Sequence, residues 1–394
     1  MIKVNNNKLN ISEIAARIKT ASQNTNNFVP LHEPLFNGNE WIYVKECIDT
    51  GWVSSVGKYV DLFEEKLAEY TGVKRAVAVV NGTSALHMSL ILADVRADDE
   101  VLVPALTFIA TANAVTYCNA VPHFVDSDMN TLGMDAKSLD VYLSNITEIH
   151  NDECYNRQTG RRISAVVPMH TFGHSIDLDE MVRVCEKFHL VLVEDAAESI
   201  GSFYKGKHTG NWGKVAAFSF NGNKTVTTGG GGAILTNDEE LGNLAKYMTT
   251  QAKVPHKWEF KHDRIGYNFR MPNINAALGC AQLEQLPEFV EHKRNLAKKY
   301  EKILTDVEGI TFFKEPAFSK SNYWLNAILL DEEYSHQRDE VLTILNEQGI
   351  MARPVWNLLY TMPMFAKCPK MECGVAENIA KRLINIPSSV GLDK

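Results

Sequence analysis

A lysine that is to attack a carbonyl must sit where water is scarce, because desolvation lowers the pKa of its amine and frees the lone pair. Lys224 has that setting: it follows the apolar run Val215–Phe220, inside a turn that contains Gly222 and precedes Gly229–Gly232. Ser219 lies one turn away, placed for a phosphate contact. Earlier in the chain, Asn81-Gly82-Thr83-Ser84 forms a tight turn before a helical stretch that begins Ala85-Leu86-His87. Such a turn offers unpaired backbone N–H groups and the positive end of a helix dipole to an anion, and Thr83 and Ser84 add hydroxyl donors. Taken alone, those hydroxyls read equally as a helix cap. Phe108, in Pro104–Phe108, can lay an aromatic face on a flat ring, although by itself it reads as a core residue. Asp195 follows the apolar run Leu190–Val193, and a carboxylate there is costly unless a cation, a cap or a salt bridge meets it. Phosphate turn, aromatic plate, acid and lysine, in that order, match what pyridoxal phosphate (PLP) requires: an anchor for its phosphate, a stacking face, a carboxylate on the pyridinium nitrogen and an amine for its aldehyde.

These residues need a scaffold that delivers them to one place. Candidate strands are Arg75–Val80, Glu100–Pro104, Val121–Val125, Ile163–Pro168, Leu190–Glu194, Val215–Phe220 and Ala233–Thr236, with amphipathic segments between them such as Asp177–Phe188. The alternation predicts an α/β fold with a mostly parallel sheet between helices, and ligands in such sheets bind beyond the carboxyl ends of the strands. After about residue 255 the pattern changes, so the division expected is a large α/β domain over 1–255, with an N-terminal arm, and a smaller α+β domain over 256–394. In the second part, His256–Arg270 reads as a charged loop, Asn273–Leu286 as a helix interrupted by Pro287, and a further helix runs to Val307. Asn145–Arg162 reads as a surface excursion. Forty basic and 48 acidic residues give a net charge of −8, which disfavours nucleic acid and anionic membranes as partners. The polar start, Met1–Asn10, holds no apolar signal core, and no stretch reads as a membrane span. Seven cysteines without a Cys-x-x-Cys pair read as reduced thiols of a cytoplasmic protein, and no metal site is expected. Lys224-Thr225 follows Asn223 rather than glycine, which disfavours a nucleotide P-loop.

From about Pro30 onward the sequence resembles the DegT/StrS-type sugar aminotransferases, a branch of the fold-type I PLP enzymes. The likeness rests on Gly51–Ser55, Asn81–Leu86, Pro104–Phe108, Val167–His170, Glu194–Glu198, Phe218–Lys224, Gly266–Met271 and Arg353–Trp356. It implies that Lys224 is the Schiff-base lysine and Asp195 the pyridinium partner. Thr83, Ser84 and Ser219 become phosphate ligands, Phe108 the stacking ring, and Glu198 a neighbour of the ring's phenolic oxygen. Asn268 would reach the phosphate of a neighbouring subunit, which implies a homodimer with shared active sites. Ser54, His170, Arg270, Arg353 and Trp356 are the candidate substrate contacts. The reaction implied moves an amino group from glutamate, through the PLP/PMP pair, to C4 of a UDP-linked, 2-acetamido 4-keto-6-deoxy sugar. The stretch Thr159–His170 contributes to the choice of sugar. Rival readings are a C3-aminotransferase of a dTDP-linked 3-keto sugar, a PLP enzyme of another reaction type, and a non-catalytic relative.

Overall fold

The structure, a computed structural model, describes residues 8–22 and 28–393; most of the polar start, with Asn5–Asn7, lies outside the described residues. In chain order the helices are α1 (Ile11–Ser22), α2 (Glu40–Thr50), α3 (Lys58–Thr71), α4 (Gly82–Leu92), α5 (Ala110–Tyr117), α6 (Ala136–Ile146), α7 (Leu178–Phe188), α8 (Glu239–Thr249), α9 (Asn273–Leu304), α10 (Arg338–Glu347) and α11 (Gly374–Arg382). The strands up to the same midpoint are β1 (Arg75–Val79), β2 (Glu100–Pro104), β3 (Val121–Val125), β4 (Thr147–His150), β5 (Glu153–Asn156), β6 (Arg162–Val166), β7 (Val191–Asp195), β8 (Phe203–Tyr204), β9 (Lys207–His208), β10 (Val215–Ser219) and β11 (Gly232–Thr236). All seven strands expected between residues 75 and 236 form within two residues of their expected bounds.

Among the described residues, β1-β11-β10-β7-β6-β2-β3 form one sheet, extended by β5 on β6 and by β4 on β5. Strands β3, β2, β6, β7 and β10 run parallel, and β11 runs antiparallel between β10 and β1. Their residues are buried almost throughout, as continuous apolar runs of a sheet covered on both faces require. Short polar caps start the covering helices: the side chains of Asn81, Asp135, Asp177 and Asp238 each accept a backbone N–H of the first turn. The carboxyl ends of β1, β2, β6, β7 and β10 therefore share one edge, and β11 begins there at Gly232.

The C-terminal part adds β12 (Lys253–Val254), β13 (Lys261–His262), β14 (Ile310–Phe312), β15 (Ser319–Lys320), β16 (Asn326–Leu330), β17 (Arg353–Pro354) and β18 (Leu383–Ile386). An antiparallel sheet β14-β16-β18-β17 packs with α9 and α10. Helix α1 belongs to that packing: Ile14 and Ile18 are buried in one cluster with Leu296, Tyr300 and Leu345.

Three local expectations differ from what forms. Pro287 does not break the helix; α9 runs through it without interruption. A helix-interior proline costs about 3 kcal/mol, and here buried Leu283, Leu286, Phe289 and Val290 on either side of it offset that cost. Asn145–Arg162 is largely exposed, as a surface excursion would be, but it holds a hairpin, β4–β5, closed by Asn151 and Asp152, both with positive φ (51° and 61°). Two such residues between paired strands are the signature of a type I′ turn. Within His256–Arg270, Lys261 and His262 pair with Val254 and Lys253 as a short ribbon.

Candidate active site

At the carboxyl edge lies a cavity of about 330 Å³ whose wall includes Gly82, Thr83, Phe108, Asp195, Glu198, Ser219, Lys224, Trp324 and Trp356. Parallel pairing brings the acid and the lysine strand together: Asp195 on β7 stands opposite Ala217 on β10, four residues before the turn that carries Lys224 begins at Asn221. Asp195 is 4% exposed; its Oδ2 accepts the Thr111 hydroxyl at 2.8 Å and its Oδ1 the Ala197 N–H at 3.3 Å. Burial raises its pKa, and those two hydrogen bonds pull it back. The Lys224 Nζ donates to Glu198 Oε1 at 3.3 Å and lies 3.7 Å from the centre of the Trp324 ring. Glu198 is buried, which pushes its carboxyl up to about 7 against the opposing pull of Lys224 and of the Phe172 N–H. That N–H reaches Glu198 Oε2 at 2.9 Å, and Phe172 itself adopts φ 56°, a conformation a bulky residue rarely holds without a local demand.

The first turn of α4 supplies the anion side. Asn81 Oδ1 takes the Ser84 N–H at 2.7 Å, so the cap is filled by the chain itself, and Gly82 and Thr83 face the cavity. A Cβ on Gly82 would stand 2.7 Å from the Ser219 Cβ, so only glycine lets the serine close this corner. The glycine run answers a similar demand from its own chain: a Cβ on Gly232 would stand 2.5 Å from the Asn81 carbonyl. A helix N-terminus with hydroxyls, a buried carboxylate with no cation of its own hydrogen-bonded to it, and an amine between them form a donor set that fits PLP.

The remaining expected residues divide. Trp356 lies in the wall of this cavity and, with Phe108, Asn223 and Trp324, in that of an adjoining one of about 640 Å³, whose wall also holds Arg353. His170 is a correction. It is fully buried outside the cavity wall, with Nε2 3.0 Å from Glu194 Oε2, and Glu194 also accepts the N–H groups of Gly210, Trp212 and Gly213. A buried carboxylate needs those partners, and His170 is one of them rather than a substrate contact. Ser84 stands one residue behind the wall. Ser54 is exposed on the α2–α3 connection, where its carbonyl accepts the Asn273 N–H. Arg270 bridges to Val79 at the end of β1, outside both walls, and Asn268 is exposed beside Thr250. Within one chain, neither Ser54, Asn268 nor Arg270 reaches Lys224's cavity. Trp324 and Thr111 are additions that the sequence reading does not contain. Trp324 is set by Asn322, whose Nδ2 donates to the carbonyls of Glu198 and Ile200 and whose Oδ1 accepts the Trp324 N–H at 2.8 Å.

Comparison with known proteins shows the family. The model of the DegT/DnrJ/EryC1/StrS aminotransferase family matches residues 36–394. The chain belongs to that family. It is 38% identical over 361 residues to GDP-perosamine synthase of Escherichia coli O157:H7, covering 92% of this chain and 93% of that protein. It is 31% identical over 334 residues to UDP-4-amino-4,6-dideoxy-N-acetyl-beta-L-altrosamine transaminase of Campylobacter jejuni, covering 84% and 85%. Among solved structures, PseC of Helicobacter pylori, an aminotransferase involved in pseudoaminic acid biosynthesis by its description, superposes with a TM-score of 0.82 at 26% identity, over 91% of this chain and 93% of that one. The fold is thus that of the PLP-dependent aminotransferases, and pyridoxal phosphate is the cofactor of this enzyme. No helix among the described residues is long and apolar enough to cross a membrane.

Proposed function

We propose that this aminotransferase moves the amino group of glutamate to C4 of a 4-keto-6-deoxy hexose carried on a nucleoside diphosphate, releasing 2-oxoglutarate. The observation that carries the reading is the Lys224 amine, held between Glu198 Oε1 at 3.3 Å and the Trp324 ring at 3.7 Å, in the wall of a cofactor-sized cavity that shares Phe108, Asn223, Trp324 and Trp356 with a larger one. Gly82, Thr83 and Ser219 would hold the phosphate, Phe108 would cover the ring, and Asp195 would sit against the ring nitrogen. When bound, PLP supplies an aldehyde for an amine and an electron sink that lets a proton leave and return at the substrate carbon. The Lys224 amine is the group that would bind that aldehyde, and as a free amine it would hold the proton that leaves glutamate and returns to the sugar carbon. Glu198 accepts from Lys224 and keeps it turned into the cavity, and Trp324 and Trp356 keep water from the amine. Asp195 stays ionised once a ring cation meets it, because that charge offsets the cost of its burial. Asn268 of the partner subunit completes the phosphate site, and the protein works as a homodimer.

The nucleoside follows a different line of support. The expectation of uridine with a 2-acetamido group leans on Thr159–His170 and Glu194–Gly201. Thr159 donates to Glu100 Oε1 at 2.6 Å, at the amino end of β2, and His170 is taken up by Glu194, so neither faces a substrate. The relative at higher identity acts, by its name, on a GDP sugar, which favours guanosine, with the UDP-linked 2-acetamido sugar as the second reading. The test is an assay of PLP-loaded protein with glutamate and GDP-, UDP- and dTDP-linked 4-keto-6-deoxy sugars, with the amine product detected by mass. At least a tenfold preference in kcat/KM, about 1.4 kcal/mol of transition-state discrimination, is expected for the GDP sugar. A preference for the UDP sugar returns the reading to uridine, and absence of any amine product overturns the C4 assignment.

A further inference from the structure

The 640 Å³ cavity beside Lys224 is walled mainly by apolar side chains, and two of its polar ones have hydrogen-bonding atoms with no partner among the described residues. Asn385 is 3% exposed, and its Nδ2 has no acceptor. His32 has both ring nitrogens buried and unpaired. The backbone brings them to one side of the cavity: the Ser388 N–H donates to the Leu31 carbonyl at 2.7 Å, and the Glu33 N–H to Ser389 Oγ at 2.8 Å. An extended segment from the start of the chain is thus laced beside the end of β18, where Asn385 pairs in register with Arg353. Leaving such groups unpaired costs about 1–3 kcal/mol each, and proteins retain few of them unless a ligand or ordered water completes the set.

The chemistry of the pair narrows the ligand. Burial, and then the nearby charges of Lys293 and Lys224, hold the His32 pKa well below its ordinary value. A neutral imidazole offers one donor and one acceptor, and a carboxamide N–H₂ offers donors only. Neither carries the charge that would hold a phosphate or a carboxylate. Together they suit a group that both gives and takes a hydrogen bond in an apolar setting, which is a hydroxyl.

We infer that His32 and Asn385 read the ring hydroxyls of the sugar while its C4 faces Lys224, and so select among sugars that differ only in hydroxyl position. The inference rests on the nucleotide-sugar reading above. A site built to bond a hydroxyl rejects ligands that cannot present one there far more strongly than an apolar pocket does.

The test is calorimetric titration of the PLP-bound protein and its His32→Phe, His32→Gln and Asn385→Leu variants with two probe pairs, GDP-mannose against GDP and UDP-N-acetylglucosamine against UDP. In the wild type at least one sugar nucleotide should bind more tightly than its bare nucleotide. His32→Phe and Asn385→Leu should weaken that sugar nucleotide tenfold or more and shift the bare nucleotide less than twofold. His32→Gln, which keeps a donor and an acceptor, should recover most of the loss, separating lost recognition from lost folding. Equal weakening of both members of a pair would assign these residues to the nucleotide and overturn the inference, as would unchanged binding or no sugar-dependent gain in the wild type. Failure of the amination reading shows differently: the wild type would distinguish GDP-mannose from GDP yet make no amine from any keto sugar.

Discussion

Replacing Glu198 by glutamine tests the electrostatics of the site where they are most unusual. The carboxyl is 3% exposed, and burial raises its pKa from 4.5 to about 7. An unfolded chain gives up this proton near pH 4.5, whereas the folded protein holds it to about pH 7. The group's contribution is therefore intact below pH 4.5, falls as the pH rises, and is lower by about 3 kcal/mol above pH 7. Glutamine has the same shape without the charge, so Glu198→Gln escapes that loss. Its single carbonyl oxygen matches that of the protonated carboxyl, and the bonds of the ionised form to the Phe172 N–H and Lys224 Nζ are already contained in the value near 7. The variant should thus match wild type below about pH 5 and be about 3 kcal/mol more stable above about pH 7.5. At roughly 2.1 cal/mol/K of unfolding entropy per residue over 394 residues, that gain is about 4 °C in Tm. Scanning fluorimetry of both cofactor-stripped proteins from about pH 5 to about pH 9 reads the difference directly. A Tm difference that stays flat across this range, or that favours wild type as the pH rises, would refute the claim that Glu198 keeps its proton near neutrality.

Three other outcomes follow from the same geometry. Lys224→Ala should lose the absorbance above roughly 400 nm that marks PLP joined to the protein, together with all turnover; retention of steady-state transamination would remove Lys224 from its role. Asp195→Asn should lower kcat/KM by about 100-fold or more, roughly 3 kcal/mol, and Thr111→Val, which removes the hydroxyl 2.8 Å from Asp195 Oδ2, by about tenfold. Wild-type rates and PLP affinity in both would make Asp195 a structural cap. Mixed dimers of Lys224→Ala and Asn268→Ala chains should hold one site with both residues intact and regain activity that neither parent has; mixtures no more active than the parents would disprove the sharing of Asn268.

How far the site is legible in the sequence depends on how its parts are connected. Thr83, Phe108, Asp195, Ser219 and Lys224 each lie within a few residues of the carboxyl end of a strand whose apolar run is plain in the sequence. Parallel topology alone then gathers them on one edge, so sequence order suffices. His170 meets the same criterion and is not a substrate contact, because what it meets is Glu194, one strand across, and a position at the edge does not say which side of the backbone a side chain takes. The helix through Pro287 escapes a sequence reading for a related reason: propensity is local, and the packing that overrides it is not.

The larger cavity obeys a different rule. His32 reaches it from a segment fastened to Ser388 and Ser389 at the far end of the chain, with 356 positions separating Glu33 from the Ser389 hydroxyl that accepts its N–H. Trp324 comes through Asn322, whose amide links it to Glu198 over 124 positions and to Ile200 over 122. No spacing rule joins such residues, and none of them has a type that is unusual for its setting: a histidine before a proline-containing loop, an asparagine in a short strand, a tryptophan among apolar neighbours. The part that would handle the amino group is thus built from the carboxyl ends of β1, β2, β7 and β10, and the part that would choose the sugar is built from segments around His32 and Asn385, far apart in the chain and folded against each other. That division explains why the order of strands is enough to infer the chemistry, whereas the expectation of uridine leans on Thr159–His170 and Glu194–Gly201, where Thr159 and His170 bond to Glu100 and Glu194.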